Sequence, residues 1–216
     1  MMRSSMLPTS VLRRGLLAGA AVTATLILSG CGSSDHSSSG SGMNHGSTTP
    51  PSAAASAAGT FNDADVTFAQ SMIPHHQQAV EMADMADGRA TDSRVKELAA
   101  KIQAAQQPEI DTMTGWLTAW GQSAPMPHMS EGAGMDHGSM PGMMSDADMT
   151  KLKDAMGAAF DKQFLTMMIS HHEGAIDMAQ EEVAKGKNTE ATDLAAKIVT
   201  DQQAEIATMK TILAGL

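Results

Sequence analysis

Residues Phe68–Ala83 read FAQSMIPHHQQAVEMA, and 96 positions later Phe164–Ala179 read FLTMMISHHEGAIDMA. These segments belong to a longer ungapped repeat. Residues 65–120 align with 161–216, and 21 of the 56 positions are identical. Leu98–Ile102 matches Leu194–Ile198, Gln106 and Glu109 match Gln202 and Glu205, and Met113 matches Met209. Such a repeat means two copies of one supersecondary unit, stacked to bury a shared face.

Each copy reads as a helical hairpin. Ala, Met, Gln, Glu and Lys dominate, and Gly marks the stops. The first helix is expected from about Asn62 to Asp87, with Asn62 as N-cap, a Phe61–Val66 staple and Gly88 as its end. The second runs from about Asp92 to Trp120. The third starts after Ser145, where Ser145-x-x-Asp148 resembles a capping box, and ends at Gly186. The fourth spans about Thr189 to Ala214. Pro74 and Pro108 each remove an amide just before a repeated polar residue and should kink their helices. An amphipathic hairpin cannot bury its face alone. The expected fold is therefore all-α: a ferritin-like four-helix bundle with pseudo-two-fold symmetry, built from two hairpins (61–121 and 146–216) joined by a long Met/His-rich crossover (122–145).

Helical projection aims the repeat's identities inward. Asp65, Phe68, Met72, His75, His76, Ala79, Met82 and Ala83 share one face about 120° wide. Met72 lies one turn before both histidines. Met168, His171, His172 and Met178 repeat the geometry. Glu109 falls inside the apolar stripe of its helix, as does Glu205, and a core-facing carboxylate is costly unless paired or metal-bound. A lone inward His is ordinarily a satisfied core group. Two adjacent inward His, repeated and facing a repeated inward Glu, form a candidate ligand set.

The chain has 216 residues, 20 of them Met, with 8 His, 1 Cys and no Tyr. Formal net charge is −10 and aromatics are 3%. An acidic chain without a basic cluster or stacking platform is not built for nucleic acid. Residues 1–31 read as an export signal: Arg3, Arg13 and Arg14, then the apolar run Leu16–Leu28, then Leu28-Ser29-Gly30-Cys31. This ending looks like a bacterial lipobox with Cys31 as the lipidated residue. The single Cys is then used for anchoring, which leaves neither a disulfide nor a thiolate metal site. Residues 32–60, rich in Ser, Gly, Ala and Pro, are expected to form a disordered tether reaching about 30 Å. The protein is thus expected in the bacterial envelope, on the outer face of the cytoplasmic membrane.

The crossover concentrates thioethers and imidazoles at Met126, His128, Met129, Met135, His137, Met140, Met143 and Met144, among Gly and Pro that build no core. Soft thioethers with imidazole suit Cu(I), and imidazole also serves Cu(II). Structural zinc favours Cys/His sites, and no Cys remains. Di-iron bundles use Glu-x-x-His, which does not occur here. Copper, or silver by the same softness, is the expected metal.

The motif Phe-x-x-x-Met-Ile-x-His-His-x-x-Ala-x-x-Met-Ala, with Leu-Ala-x-x-Ile-x-x-x-Gln-x-x-Glu-Ile-x-x-Met, resembles the bacterial family called domain of unknown function 305. The resemblance covers about residues 61–216. It implies a ferritin-like four-helix fold, export and, for some members, copper binding or tolerance. It carries over His75, His76, His171, His172, Met72, Met82, Met168 and Met178 as motif positions. Glu109 and Glu205 as ligands, and the crossover as an outer capture segment, are read from this chain alone.

The leading expectation is an extracytoplasmic, membrane-tethered copper-binding protein that buffers, sequesters or hands copper to a transfer protein. A second reading is a metal-dependent oxidase with a Glu/His centre in the bundle. A third is a metal-free helical interaction module.

Overall fold

The computed structural model describes residues 59–125 and 140–216, and among these all regular structure is helical. The expected export signal, Cys31, the tether, and Met126, His128, Met129, Met135 and His137 lie outside the described residues.

Helix α1 (Asp63–Asp84) starts as its sequence prescribes. The Asn62 side chain accepts from the amides of Ala64 and Asp65, while Asp65 accepts from the Asn62 amide. This reciprocal box satisfies donors that a helix start leaves open. Phe61 and Val66 pack against one apolar cluster, as the staple requires. Helix α1 ends at Asp84, with Met85 as its C-cap, short of the expected Asp87. A further turn, α2 (Ala86–Arg89), carries Gly88 inside it. Helix α3 (Ser93–Ala119) is capped by Asp92. Both α1 and α3 continue through their prolines, so neither Pro74 nor Pro108 ends its helix.

The third expected helix is two. Helix α4 (Asp146–Asp154) begins at the Ser145 cap, whose hydroxyl also donates to Asp148 at 2.7 Å. It stops at extended Ala155. Met156 is extended too, and Gly157 has φ of +60°. A left-handed glycine is a natural break between helices. Helix α5 (Gly157–Lys185) follows, then α6 (Thr189–Ala214), capped by Asn188.

The outcome is an all-α four-helix bundle. Helix α1 packs along α3, α5 along α6, and the hairpins meet mainly through α1 and α5. Each hairpin's turn is tied to the other hairpin by a buried aspartate. Asp161 accepts from the amides of Thr91 (3.1 Å) and Asp92 (3.0 Å). Its repeat mate Asp65 accepts from Lys187 (3.0 Å) and Asn188 (2.8 Å). Both carboxylates are fully buried. Amide donors are what make such burial tolerable.

Candidate metal centre

The bundle core is apolar at two levels and polar between them. One cluster includes Met82, Ile102, Phe164, Met168 and Met209, and the other Phe68, Met72, Met113, Leu117 and Ile198. Along α1, residues 68–73 serve one cluster and 79–83 the other, and His75 and His76 fall at the changeover. His171 and His172 occupy the equivalent place on α5. All four rings have zero exposed surface. The inward projection of the repeated His pairs thus becomes one histidine layer.

His75 and His171 face each other across the hairpin boundary, with ring centroids 3.7 Å apart and planes tilted by 40°. His171 and His172 lie 6.5 Å apart. The outer rings are each held by a repeated carboxylate. His76 Nε2 pairs with Glu109 Oε2 at 2.9 Å, and His172 Nε2 with Glu205 Oε2 at 2.7 Å. The dyads differ in surroundings. Glu109 also accepts from Lys197 Nζ at 3.1 Å, and its side chain is 11% exposed against 21% for Glu205. Burial opposes ionisation of Glu109, but hydrogen bonds from His76 and Lys197 outweigh it and hold the carboxyl below its ordinary range.

Burial does the reverse to the inner rings. Desolvation, and after it the neighbouring His76, lowers the pKa of His75 to about 3, against the opposing hydrogen bond to the Pro141 carbonyl. His171 is lowered well below the ordinary value by burial first and then by the other three histidines; the His75 main chain opposes this weakly. Both rings are therefore neutral at physiological pH, the form in which imidazole offers a lone pair. Five ring nitrogens have no hydrogen-bond partner of good geometry: Nδ1 of His75, His76 and His172, and both nitrogens of His171. Buried polar atoms in this condition call for a partner, an ordered water or a bound ion.

Beside these donors are thioethers. Met72, Met82 and Met168 are fully buried, and Met178 is half-buried. Met72 and Met82 sit in opposite apolar clusters, as do Met168 and Met178. Among the described residues, no three His, Cys, Asp or Glu side chains are gathered as a ready-made chelate. Of the crossover methionines, Met140, Met143 and Met144 are described; all three are half-buried, and Met144 packs on the apolar core.

Several polar groups here were not singled out from sequence. Gln106 and Gln202 are 2% and 3% exposed, and both amide atoms of Gln106 lack partners. Their repeat identity was a usable clue. Gln78 and Gly174 hold the end of the crossover against α1 and α5; they differ between repeats, so identity could not find them. Glu182, 1% exposed, lies beside Asp65.

A family profile described as Domain of unknown function (DUF305) matches residues 65–213. A DUF305 protein from Streptomyces coelicolor, assigned as secreted, is 34% identical with a TM-score of 0.63, covering 70% of this chain and 93% of its own. A DUF305 fragment from Deinococcus radiodurans is 33% identical with a TM-score of 0.64, covering 72% and 98%. CopM in its Cu(I)-bound form is 30% identical with a TM-score of 0.57, covering 70% and 96%, and is also known in Cu(II)-bound and Ag-bound forms. Protein L153 of Acanthamoeba polyphaga mimivirus is 40% identical over 53 residues, and the chain spans 35% of that protein.

Proposed function

This chain belongs to the DUF305 family, and we propose that it is a copper-binding protein whose cargo is held in the histidine layer. The observation that carries this reading is the set of five unpartnered ring nitrogens on four fully buried histidines. Neutral imidazole is the form that binds copper, and it is the form burial maintains for His75 and His171. Met72 and Met168, one helical turn before the His pairs, supply thioethers; Met82 and Met178 lie further along the same helices. Few imidazoles and thioethers around a soft ion is a donor set for Cu(I), and silver fits for the same reason. CopM, a relative in fold and sequence, binds both metals.

Glu109 and Glu205 act here as positioning residues. Each carboxylate occupies Nε2 of its histidine, which fixes the ring and leaves Nδ1 as the nitrogen that would hold a metal. Outside the layer, the Met/His crossover captures copper and the bundle stores it or passes it to a transfer protein. Cys31 anchors the mature chain at the outer face of the cytoplasmic membrane. No helix of the described residues is long and apolar enough to cross a membrane itself.

The test is titration of metal-free protein with Cu(I) against a competing chelator. Tight binding is expected in the natural chain. Equal affinity in a variant lacking both His pairs would overturn the reading.

A further inference from the structure

The last residues of the crossover, Met140–Ser145, lie across α1 and α5 at the level of the histidine layer, fixed at three points. The Pro141 carbonyl accepts from His75 Nε2 at 3.1 Å. The backbone at Gly142, with φ of +75°, lies so close to α5 that a Cβ there would stand 2.7 Å from the Ser170 carbonyl and 2.9 Å from that of His171. A Cβ on Gly174 would in turn overlap the Pro141 carbonyl, so glycine is what lets the strap seat on α5. On the α1 side, Gln78 donates to the Met144 carbonyl at 2.9 Å and accepts from the Met144 amide at 2.7 Å. Gln78 and Gly174 are repeat mates at the same offset of 96. The repeat has thus diverged at one pair of positions, to grip the strap on one helix and to admit it on the other.

This arrangement has a consequence for access. Apolar clusters lie above and below the histidine layer along the bundle axis, and on the α3 and α6 sides Glu109 and Glu205 occupy Nε2 of His76 and His172. The α1–α5 side is covered by the strap, whose backbone meets His75 at Pro141 and whose Met144 side chain packs on the apolar core. The strap also occupies Nε2 of His75, an inner ring, and that nitrogen becomes available only when the strap departs. Three thioethers, those of Met140, Met143 and Met144, travel with it.

We propose that Met140–Ser145 is the gate of the histidine layer, latched by Gln78 and Gly174, and that a soft monovalent cation enters and leaves between α1 and α5 when it lifts. The proposal rests on the copper reading. It assigns Gln78 and Gly174 as access-controlling positions rather than ligands.

Silver(I) is the probe, because it is soft and carries no redox step. Uptake and chelator-driven release are timed in the full chain and in Gln78→Ala and Gly174→Ala, alongside hydrogen exchange of the Met143 and Met144 amides. Gln78→Ala removes the grip, and Gly174→Ala pushes the strap off while favouring the helix. The expected result is faster amide exchange in both variants, with uptake and release both accelerated about tenfold or more, as for removal of a lid. Freed amides with unchanged silver kinetics would overturn the gate, as would a faster release with no faster uptake, which would mark the strap as a ligand. Amides as protected as in the natural chain would overturn the latch. If the natural chain takes up no silver at all, the copper reading itself fails, and the exchange data still report separately on the strap.

Discussion

His171 concentrates the conflict between stability and binding. It is fully buried, both ring nitrogens lack a good hydrogen bond, and burial disfavours its charged form. An unsatisfied polar group in a core costs free energy that an apolar one does not. His171→Leu should therefore raise the stability of the metal-free protein by about 1–2 kcal/mol, read from urea unfolding, while lowering Cu(I) affinity. A stability loss with intact affinity would contradict the ligand role. The carboxylates make a second test. Glu205→Gln should weaken copper binding by about 10–100-fold, the usual cost of losing an outer partner of a ligating histidine. Competition titration reads it, and a change of less than twofold would remove the positioning role. The His and Glu positions were legible because a repeat projects them onto one face. Which nitrogen each carboxylate takes was not, because ring orientation is set by the facing helix rather than by spacing.

At the scale of elements, the joints between hairpins govern stability. The buried Asp161 carboxylate accepts from two amides of the turn before α3, and Asp161→Ala removes the acceptor of both. A loss of about 2–4 kcal/mol is expected, seen as a lower urea midpoint. The matching joint at Asp65 has an added proton. Glu182 is pushed up to about 8, first by burial and then by the adjacent Asp65 carboxylate. The folded state therefore keeps a proton that the unfolded carboxyl releases near its ordinary value of 4.5. Stability from this group is full below that value and is lost as pH rises toward 8. Melting temperatures across that window should fall in the natural chain and fall less in Glu182→Gln; parallel curves would show that the pair does not share the proton. The caps at Asn62 and Ser145 were readable because capping is local. The break at Ala155–Met156 was not, since Gly157 sits in a run that otherwise favours helix. The aspartate joints escaped because their partners are 69 or more residues away.

For the whole molecule, binding between the hairpins joins folding to occupancy. An ion shared by His75 of one hairpin and His171 of the other binds the assembled bundle and not the unfolded chain. At a free concentration about 100 times its dissociation constant it should add about 2.7 kcal/mol. A melting temperature that rises with Ag(I), and does so less in His75→Ala, is the expected readout. An unchanged curve would mean that the ion sits within one hairpin or outside the bundle. Fold class, pairing order and the inward histidines followed from the repeat. The strap did not, because it depends on how the two copies differ. The aspartate joints carry one more implication. The first hairpin owns both halves of such a joint: a carboxylate at Asp65 and open amides at Thr91 and Asp92. Where the full chain uses its second copy as partner, a lone hairpin is complementary to itself, and two of them satisfy each other about a true two-fold axis. Such a homodimer of hairpins would place the histidine layer on its symmetry axis.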